Sequence, residues 1–592
     1  MLKKFFSLVA DPFGHLVLQQ ASPVYMEFSG DCRFMNTIFS TEQRIQANRF
    51  VTVLILTLAW VGSAHAQTFT QQTNLLINTN FRSGVSMGIA DMNGDGLDDI
   101  IRLNNARSLS IEYQEAANAA FSNFNYGSLA GGSEWSLCVG DVDGNGYNDL
   151  VVGGAYNNIK LLRANAGGTN YSESNLPSSN IFLQGSNLVD INNDGSLDIF
   201  ACHDDDESRN YRNLGNGTFV FDNSLIETTL PLGSGFDPTN SGNYASVWTD
   251  YDNDGDLDMY LSKCRLGTTS FTDPRRVNLL FQNDGSNNFT EVGQAAGLRF
   301  GDQTWATAFA DYDNDGDMDC FVMNHYTPSY LMENNGDGTF TDVTATSGMT
   351  SGDLNLFGIQ SVFRDFDNDG FVDLLLAGSD QRLFKNNGDG TFSRLPNPFT
   401  SNAMESYAVG DLNSDGYLDI YAGYANIFNS PSNIADVLFM NDGGTNNFFD
   451  VLLEGTDCNA NGVGARLELH GPWGTQIREV RSGESYGIMN TLRQHFGIGS
   501  ATTIERLVVR WPSGAVDELL NPDINQQITL VEGSTVVLLG DCNLDGGVNF
   551  ADISPFIGVL SSKAFLSQAD CNEDGMVSFS DIQPFIEILL GS

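Results

Sequence analysis

One short phrase, written seven times between Asp91 and Asp419, limits what this chain can fold into more than any other feature. Each copy carries Asp or Asn at positions 1, 3, 5 and 9 and Gly at position 6. The copies are Asp91, Asn93, Asp95, Asp99; Asp141, Asp143, Asn145, Asp149; Asp190, Asn192, Asp194, Asp198; and Asp250, Asp252, Asp254, Asp258. The remaining three are Asp311, Asp313, Asp315, Asp319; Asp365, Asp367, Asp369, Asp373; and Asp411, Asn413, Asp415, Asp419. Hard oxygen ligands at alternating positions around a sharp, Gly-permitted turn suit Ca²⁺, which takes oxygens at about 2.3–2.6 Å. The phrase therefore predicts seven Ca²⁺ loops.

The residues after each copy decide the architecture. An EF-hand loop continues into a helix after a bidentate Glu at position 12. Here position 12 of the fourth and fifth copies is Leu261 and Val322, inside LDMYLS and MDCFVM, which read as short apolar strands. Strand-like runs such as YASVWTD and WATAFAD also precede the loops. Each loop is thus expected to join two strands of a hairpin. A second hairpin signal, Asn or Asp beside Gly, recurs at 212–219, 282–289, 334–340, 386–392 and 440–448. The starts lie 46 to 61 residues apart, room for four short strands per unit. The expected fold is mainly β, a seven-bladed propeller over 67–449. Residues 69–76 are expected to supply an outer strand that closes the ring against the last blade.

These loops and flanking strands resemble FG-GAP/VCBS repeats, the calcium-loop blades also seen in integrin α-chain propellers. After them come NGVGARLEL (461–469), REVRSGESYG (478–487), LRQHFGIG (492–499) and VVRWPSG (508–514). These resemble the ASPIC/UnbV domain of the cartilage acidic protein family, and the resemblance implies a small β domain over 450–533. Near the C-terminus, GDCNLDGGVNFADISPFIGVL and ADCNEDGMVSFSDIQPFIEIL repeat with a period of 29. Their positions 1, 3, 5, 9 and 12 are Asp541, Asn543, Asp545, Asn549, Asp552 and Asp570, Asn572, Asp574, Ser578, Asp581, with an amphipathic run after each. A calcium loop with an exit helix but no entry helix, in two copies, resembles a type I dockerin over 540–592. That resemblance implies two more Ca²⁺ sites and a cohesin-like partner. The residues after position 9, Phe550-Ala551 and Phe579-Ser580, lack the polar pair by which dockerins choose partners.

Bulk chemistry fits an extracellular molecule. The chain has 74 acidic and 28 basic residues, a net charge of −46, which argues against nucleic acid as a partner. Its 41% hydrophobic and 11% aromatic content is enough for a packed core. Residues 50–62, FVTVLILTLAWVG, follow Arg44 and Arg49 and precede Ala64-His65-Ala66. This reads as a signal peptide cleaved after Ala66, too short for a permanent transmembrane anchor. Residues 1–66 are then an upstream extension plus signal, with translation expected to begin at Met35 or Met26, the alternative being a genuinely extended signal region. Seven cysteines follow the cleavage point, too few for a disulfide scaffold. Cys542 and Cys571 stand at equivalent positions, either as a disulfide or as two buried thiols.

No catalytic constellation emerges: HExxH, GxSxG and P-loop patterns are absent. His203 reads as part of a charged turn, and Trp248 and Trp305 as packed blade residues. Arg478, Arg481, Arg493 and Arg510 read as sheet residues, several on solvent faces. Four carboxylates in loops four to six, against three in the others, predict that those sites hold Ca²⁺ longest. Two functions fit. The first is a secreted scaffold binding an extracellular protein or glycan. The second is a polysaccharide-degrading enzyme or a component of a dockerin–cohesin assembly.

Overall fold

The computed structural model describes residues 5–10, 16–21 and 67–590, apart from 117–118, 166, 229–240, 427–429, 536–539, 541, 543–547, 563–566 and 573–575. The expected signal region, 50–62, lies outside the described residues. In the first of two compact units, residues 1–65, Phe5–Ala10 pairs antiparallel with Leu16–Ala21.

The second unit, residues 66–592, is mainly β. Every loop joins two antiparallel strands, and every second strand begins at the position-9 Asp. The pairs are Met87–Ala90 with Asp99–Asn104, Ser136–Gly140 with Asp149–Gly153, Leu183–Val189 with Asp198–His203, and Asn243–Thr249 with Asp258–Lys263. Then come Thr304–Ala310 with Asp319–Asn324, Gly358–Arg364 with Asp373–Gly378, and Ser406–Gly410 with Asp419–Gly423. Two further strands complete six of the sheets, and sheet one has three, Ile488–Met489 being its fifth strand. The first strands are almost wholly buried, and short small-residue and β-branched runs suit that position. The first six pack in chain order, and Ser406–Gly410 lies against Asp373–Gly378 of sheet six and against Met87–Ala90 of sheet one.

Sheet seven departs from the local hairpin pattern. Phe69–Gln71 pairs with Val437–Asn441 and fills its fourth place, as the FTQQTNLL run suggested. The turn signal at 440–448 is therefore not a hairpin within a sheet, a correction to its sequence reading. With that edge already taken, Asn447–Glu454 leaves to become the central strand between Gln494–Gly499 and Gln527–Val531. A second sheet, Gly474–Glu479, Arg466–Gly471, Arg506–Arg510 and Val516–Leu520, completes the C-terminal β region. Phe449, Val451, Leu467, Leu507 and Trp511 join its two sheets and share one apolar cluster with Leu137, Leu188 and Met489.

Residues 480–493 do not stay within that β region. Met489 and its neighbour Ile488 pair in parallel with Met87 and Gly88 of sheet one. Ser482 Oγ donates to Val139 O (2.6 Å) of sheet two, and Asn187 Nδ2 of sheet three donates to Gly483 O (2.8 Å). Arg481 donates to Trp248 O and Phe309 O of sheets four and five (3.1 and 2.8 Å). Ser361 N of sheet six donates to Ser485 Oγ (3.1 Å), and Val409 N of sheet seven to Asn490 Oδ1 (2.9 Å). One short segment thus touches all seven sheets.

Near the C-terminus, Ile553–Ser562 and Ile582–Leu590 are helices, with Phe556 and Phe585 stacked at 4.0 Å. Position 9 caps each helical entry: Ala551 N donates to Asn549 Oδ1, and Asn549 N donates back to Asp552 Oδ2. Ser578 and Asp581 repeat the arrangement. Cys542 and Cys571 are separate buried thiols, so the disulfide alternative does not hold.

Candidate metal centres

The seven loops share one hydrogen-bond plan. The position-1 carboxylate accepts from the N–H groups of positions 5 and 6, as in Asp95 N and Gly96 N to Asp91 (3.2 and 2.7 Å). The same pair recurs on Asp141, Asp190, Asp250, Asp311, Asp365 and Asp411. Curling the chain this tightly requires two left-handed residues. One is the Gly at position 6, such as Gly316 at φ 104°. The other, at position 4, went unnoticed in the sequence: Gly94, Gly144, Asn193, Asn253, Asn314, Asn368 and Ser414 all have positive φ. Gly and Asn tolerate that region best, which is why position 4 is almost always one of them.

Position 9 has a scaffolding task beside any metal role. One oxygen accepts from the position-2 N–H, the other from the third strand. Asp319, for example, takes Tyr312 N (3.2 Å) and Asn334 N (2.8 Å). The counterpart bonds exist on Asp99, Asp149, Asp198, Asp258, Asp373 and Asp419.

Position 3 is different. Asp143 Oδ1, Asn192 Oδ1, Asp252 Oδ1 and Asp367 Oδ1 are buried with no hydrogen-bond partner. An orphaned buried oxygen is costly unless something electropositive meets it. In four loops three carboxylates each bring one oxygen within 4.8 Å of the others: Asp141, Asp143, Asp149; Asp250, Asp252, Asp254; Asp311, Asp313, Asp315; and Asp365, Asp367, Asp373. Loops one, three and seven instead turn the position-3 amide onto position 5, as Asn93 Nδ2 does to Asp95 (3.0 Å). These buried acidic clusters fit a metal ion, which when bound would neutralise the gathered carboxylates.

Burial and like charge push the loop carboxyls upward. Burial first, with Glu479 and Asp254 adding repulsion, raises Asp250 to about 7. Burial, Asp315 and Asp313 do the same for Asp311. Asp149 and Asp198 rise to about 7, and Asp258 to about 9, again chiefly through burial.

Third-strand side chains set the loops apart, which sequence inspection missed. Lys385 Nζ donates to Asp367 and to Asp369 Oδ2 (2.5 Å), so an ammonium already sits on loop six. At the equivalent place beside loop five stands Glu333, which accepts from Tyr312 OH (3.4 Å) and adds to the repulsion on Asp313. Beside loop four, Gln282 Nε2 donates to Asp252 (2.5 Å). Each of these residues immediately precedes the Asn that ends the third strand, so the signal was present. That Asn also binds the preceding sheet: Asn334 Nδ2 reaches Tyr251 O, Asn386 reaches Tyr312 O, and Asn441 reaches Phe366 O (2.7, 2.7 and 2.8 Å).

The C-terminal β region covers the loops. Asp141 N donates to Asn461 Oδ1 (2.7 Å), Asp250 N to Glu479 (3.1 Å), and Gln527 Nε2 to Asp411 (2.8 Å). Arg466 donates to Asn253 and Gly316 O, and His495 bridges Asn368 and Asp450. Over loops one and two the cover stands off, leaving a cavity of about 350 Å³ lined by Asp91, Asp98, Asp141, Asn461 and Arg493. Arg481 and Arg493 thus serve the interface rather than solvent, whereas Arg478 and Arg510 stand on the strands Gly474–Glu479 and Arg506–Arg510, as sheet residues were expected to. Arg481 and Arg493 are nearly buried, Arg478 donates to His495 O (3.1 Å), and Arg510 pairs with Glu468. These inward positions arise because loops, not strand alternation, carry Arg481 and Arg493. His203 is likewise buried rather than on a charged turn, accepting from Asp205 N (3.1 Å). Trp248 and Trp305 are packed inside the sheets.

In the C-terminal repeat, Asp541, Asn543, Asp545 and Asp574 lie outside the described residues. Asn572 N donates to Asp581 (3.2 Å), which draws positions 3 and 12 together.

The FG-GAP-like repeat family matches residues 141–201, 190–261, 269–322, 311–376 and 365–422, taking in loops two to seven. The ASPIC and UnbV family matches residues 455–537. Cartilage acidic protein 1 of Mus musculus is 27% identical over 258 residues, 40% of this chain and 38% of the mouse protein. The Homo sapiens protein is 26% identical over 40% of this chain and 37% of its own length. The match therefore spans less than two fifths of these curated relatives. Among solved structures, BBS1N in complex with ARL6DN aligns at TM-score 0.41 and 9% identity, over 63% of this chain and 97% of that one. YCF48 bound to D1 peptide aligns at 0.39 and 8%, over 64% and 97%. BP39L lectin from Burkholderia pseudomallei aligns at 0.39 and 10%, over 60% and 99%. The chain thus carries FG-GAP-like repeats followed by an ASPIC and UnbV domain, and it has cartilage acidic protein-like homologues.

Proposed function

We propose that this chain is a secreted, calcium-stabilised binding scaffold: a seven-bladed propeller whose axis is filled by its own residues 480–493. Ca²⁺ occupies the seven loops, held by positions 1, 3 and 5 with position 9 both bracing the loop and lending a carboxylate. The C-terminal helical repeat is a dockerin-like tether holding two further ions. Its equivalent Phe550 and Phe579 are 73% and 82% exposed, which supports an apolar partner surface there.

One observation carries the binding reading. The loop face is covered by the chain itself, while large apolar side chains stand exposed at the far ends of the second strands. Tyr156, Leu266, Phe271 and Tyr326 all lie in connections between second and third strands. A protein or glycan ligand is therefore expected on that far face. Screening glycans and extracellular proteins with and without Ca²⁺ tests this. Binding lost on Tyr326→Ala and Tyr156→Ala is the expected result. Polysaccharide cleavage that depends on one carboxylate outside the loops would replace the scaffold reading with an enzyme.

A further inference from the structure

Beneath the far end of sheet two lies a cluster that neither the metal loops nor the proposed binding face uses. Lys160, at the start of Ile159–Ala164, is 1% exposed, and Glu134 is fully buried. Lys160 Nζ donates to Glu134 Oε1 at 2.6 Å, and Asn157 Nδ2 donates to the same oxygen at 2.7 Å. Lys160 Nζ also reaches the backbone Asn157 O at 2.9 Å. The side-chain oxygen, Asn157 Oδ1, accepts from Gly132 N at 2.6 Å. A Cβ at position 131 would sit 1.8 Å from that oxygen, so Gly131 makes the room for this amide. Glu134 Oε2 is buried without a partner.

We propose that Lys160 and Asn157 condense into an intramolecular isopeptide bond, with Glu134 carrying the proton between them. A buried ammonium–carboxylate pair gains little over its desolvation cost, so transfer of the proton to Glu134 leaves two neutral groups suited to an apolar site. Burial pushes the Glu134 carboxyl up to about 7, against the pull of Lys160. The neutral Nζ attacks Asn157 Cγ, and Oδ1 takes the developing charge against the Gly132 N–H. Glu134 Oε1 touches both nitrogens, so it hands its proton to Nδ2 and takes one from Nζ. The Cγ–Nδ2 bond breaks, the Nζ–Cγ amide remains, and one ammonia leaves; nothing is oxidised or reduced. The product locks the turn at 154–158 with a neutral amide in place of a buried ion pair.

Mass spectrometry of the purified protein decides the matter. The expected result is a chain lighter than its sequence by one ammonia, with the loss mapped to 157–160 and no tryptic cleavage after Lys160. Glu134→Gln and Lys160→Met should restore the full mass. The wild-type peptide map stands alone if either variant fails to fold. Full mass at 157–160 overturns the proposal. So does ammonia loss with Lys160 still cleaved, which marks a succinimide at Asn157.

Discussion

Glu333 and Lys385 occupy the same place on successive third strands with opposite charges, although the loops beside them carry identical carboxylate sets. Carboxylate count alone ranks loops four to six together; the structure separates them. Lys385 competes for the oxygens of Asp367 and Asp369, whereas Glu333 adds an acceptor beside Asp313. Lys385→Met should therefore tighten calcium at loop six about tenfold, ~1.4 kcal/mol, and Glu333→Gln should weaken loop five by a similar factor. Site-resolved calcium titration by NMR or hydrogen exchange checks both, and equal affinities in all variants would contradict the assignment. The loop carboxyls also set a pH dependence. Without metal, Asp250, Asp149 and Asp258 bind protons more tightly folded than at their ordinary value of 3.8. Their contribution to stability is complete below that value and is lost as pH rises through about 7 to 9. The chelated protein should melt at a higher temperature near pH 5 than near pH 8, and added Ca²⁺ should raise the melting temperature more at the higher pH. Thermal unfolding across pH measures this, and the reverse order would refute it.

At the scale of elements, the Asn that ends the third strand in four sheets, Asn213, Asn334, Asn386 and Asn441, ties its hairpin to the loop before it. Asn334→Ala leaves the buried carbonyls of Tyr251 and Met318 without that donor. The expected cost is about 1–3 kcal/mol, read by denaturant unfolding; Asn335→Ala, at the exposed neighbour, should cost under about 0.5 kcal/mol. The loops and their hairpins were legible because strand alternation and Gly-permitted turns are local signals. Even the closing strand at Phe69 announced itself by pattern. The turn at 440–448 misled because its sequence suits a hairpin whose edge a strand from the other end of the chain had taken. Position 4 and the third-strand residue were visible in the repeat. Their roles were not, since Lys385 meets Asp367 only after two strands pair. Residues 480–493 gave least warning: each partner lies far away in the chain, and no local periodicity encodes such contacts.

Across the whole molecule, the repeated Asp loops and residues 480–493 form one structure. Arg481, Glu479 and Asp250 share hydrogen bonds, and Thr491 and Arg493 contact Asp98 and Gly96 of loop one. Chelation should therefore raise amide exchange not only in the loops but throughout 480–493, including Tyr486, whose hydroxyl reaches Gln184 (2.5 Å). Exchange confined to the loops would show that the segment holds without metal. Beneath that prediction lies the claim that the repeated loops hold calcium. Metal analysis of the protein after equilibrium dialysis against buffered Ca²⁺ tests it most directly. The account predicts several tightly held ions per chain, approaching one per loop, and fewer when Asp250, Asp311 or Asp365 is changed to Ala. A chain that retains no calcium, and melts at the same temperature with and without chelator, would contradict it.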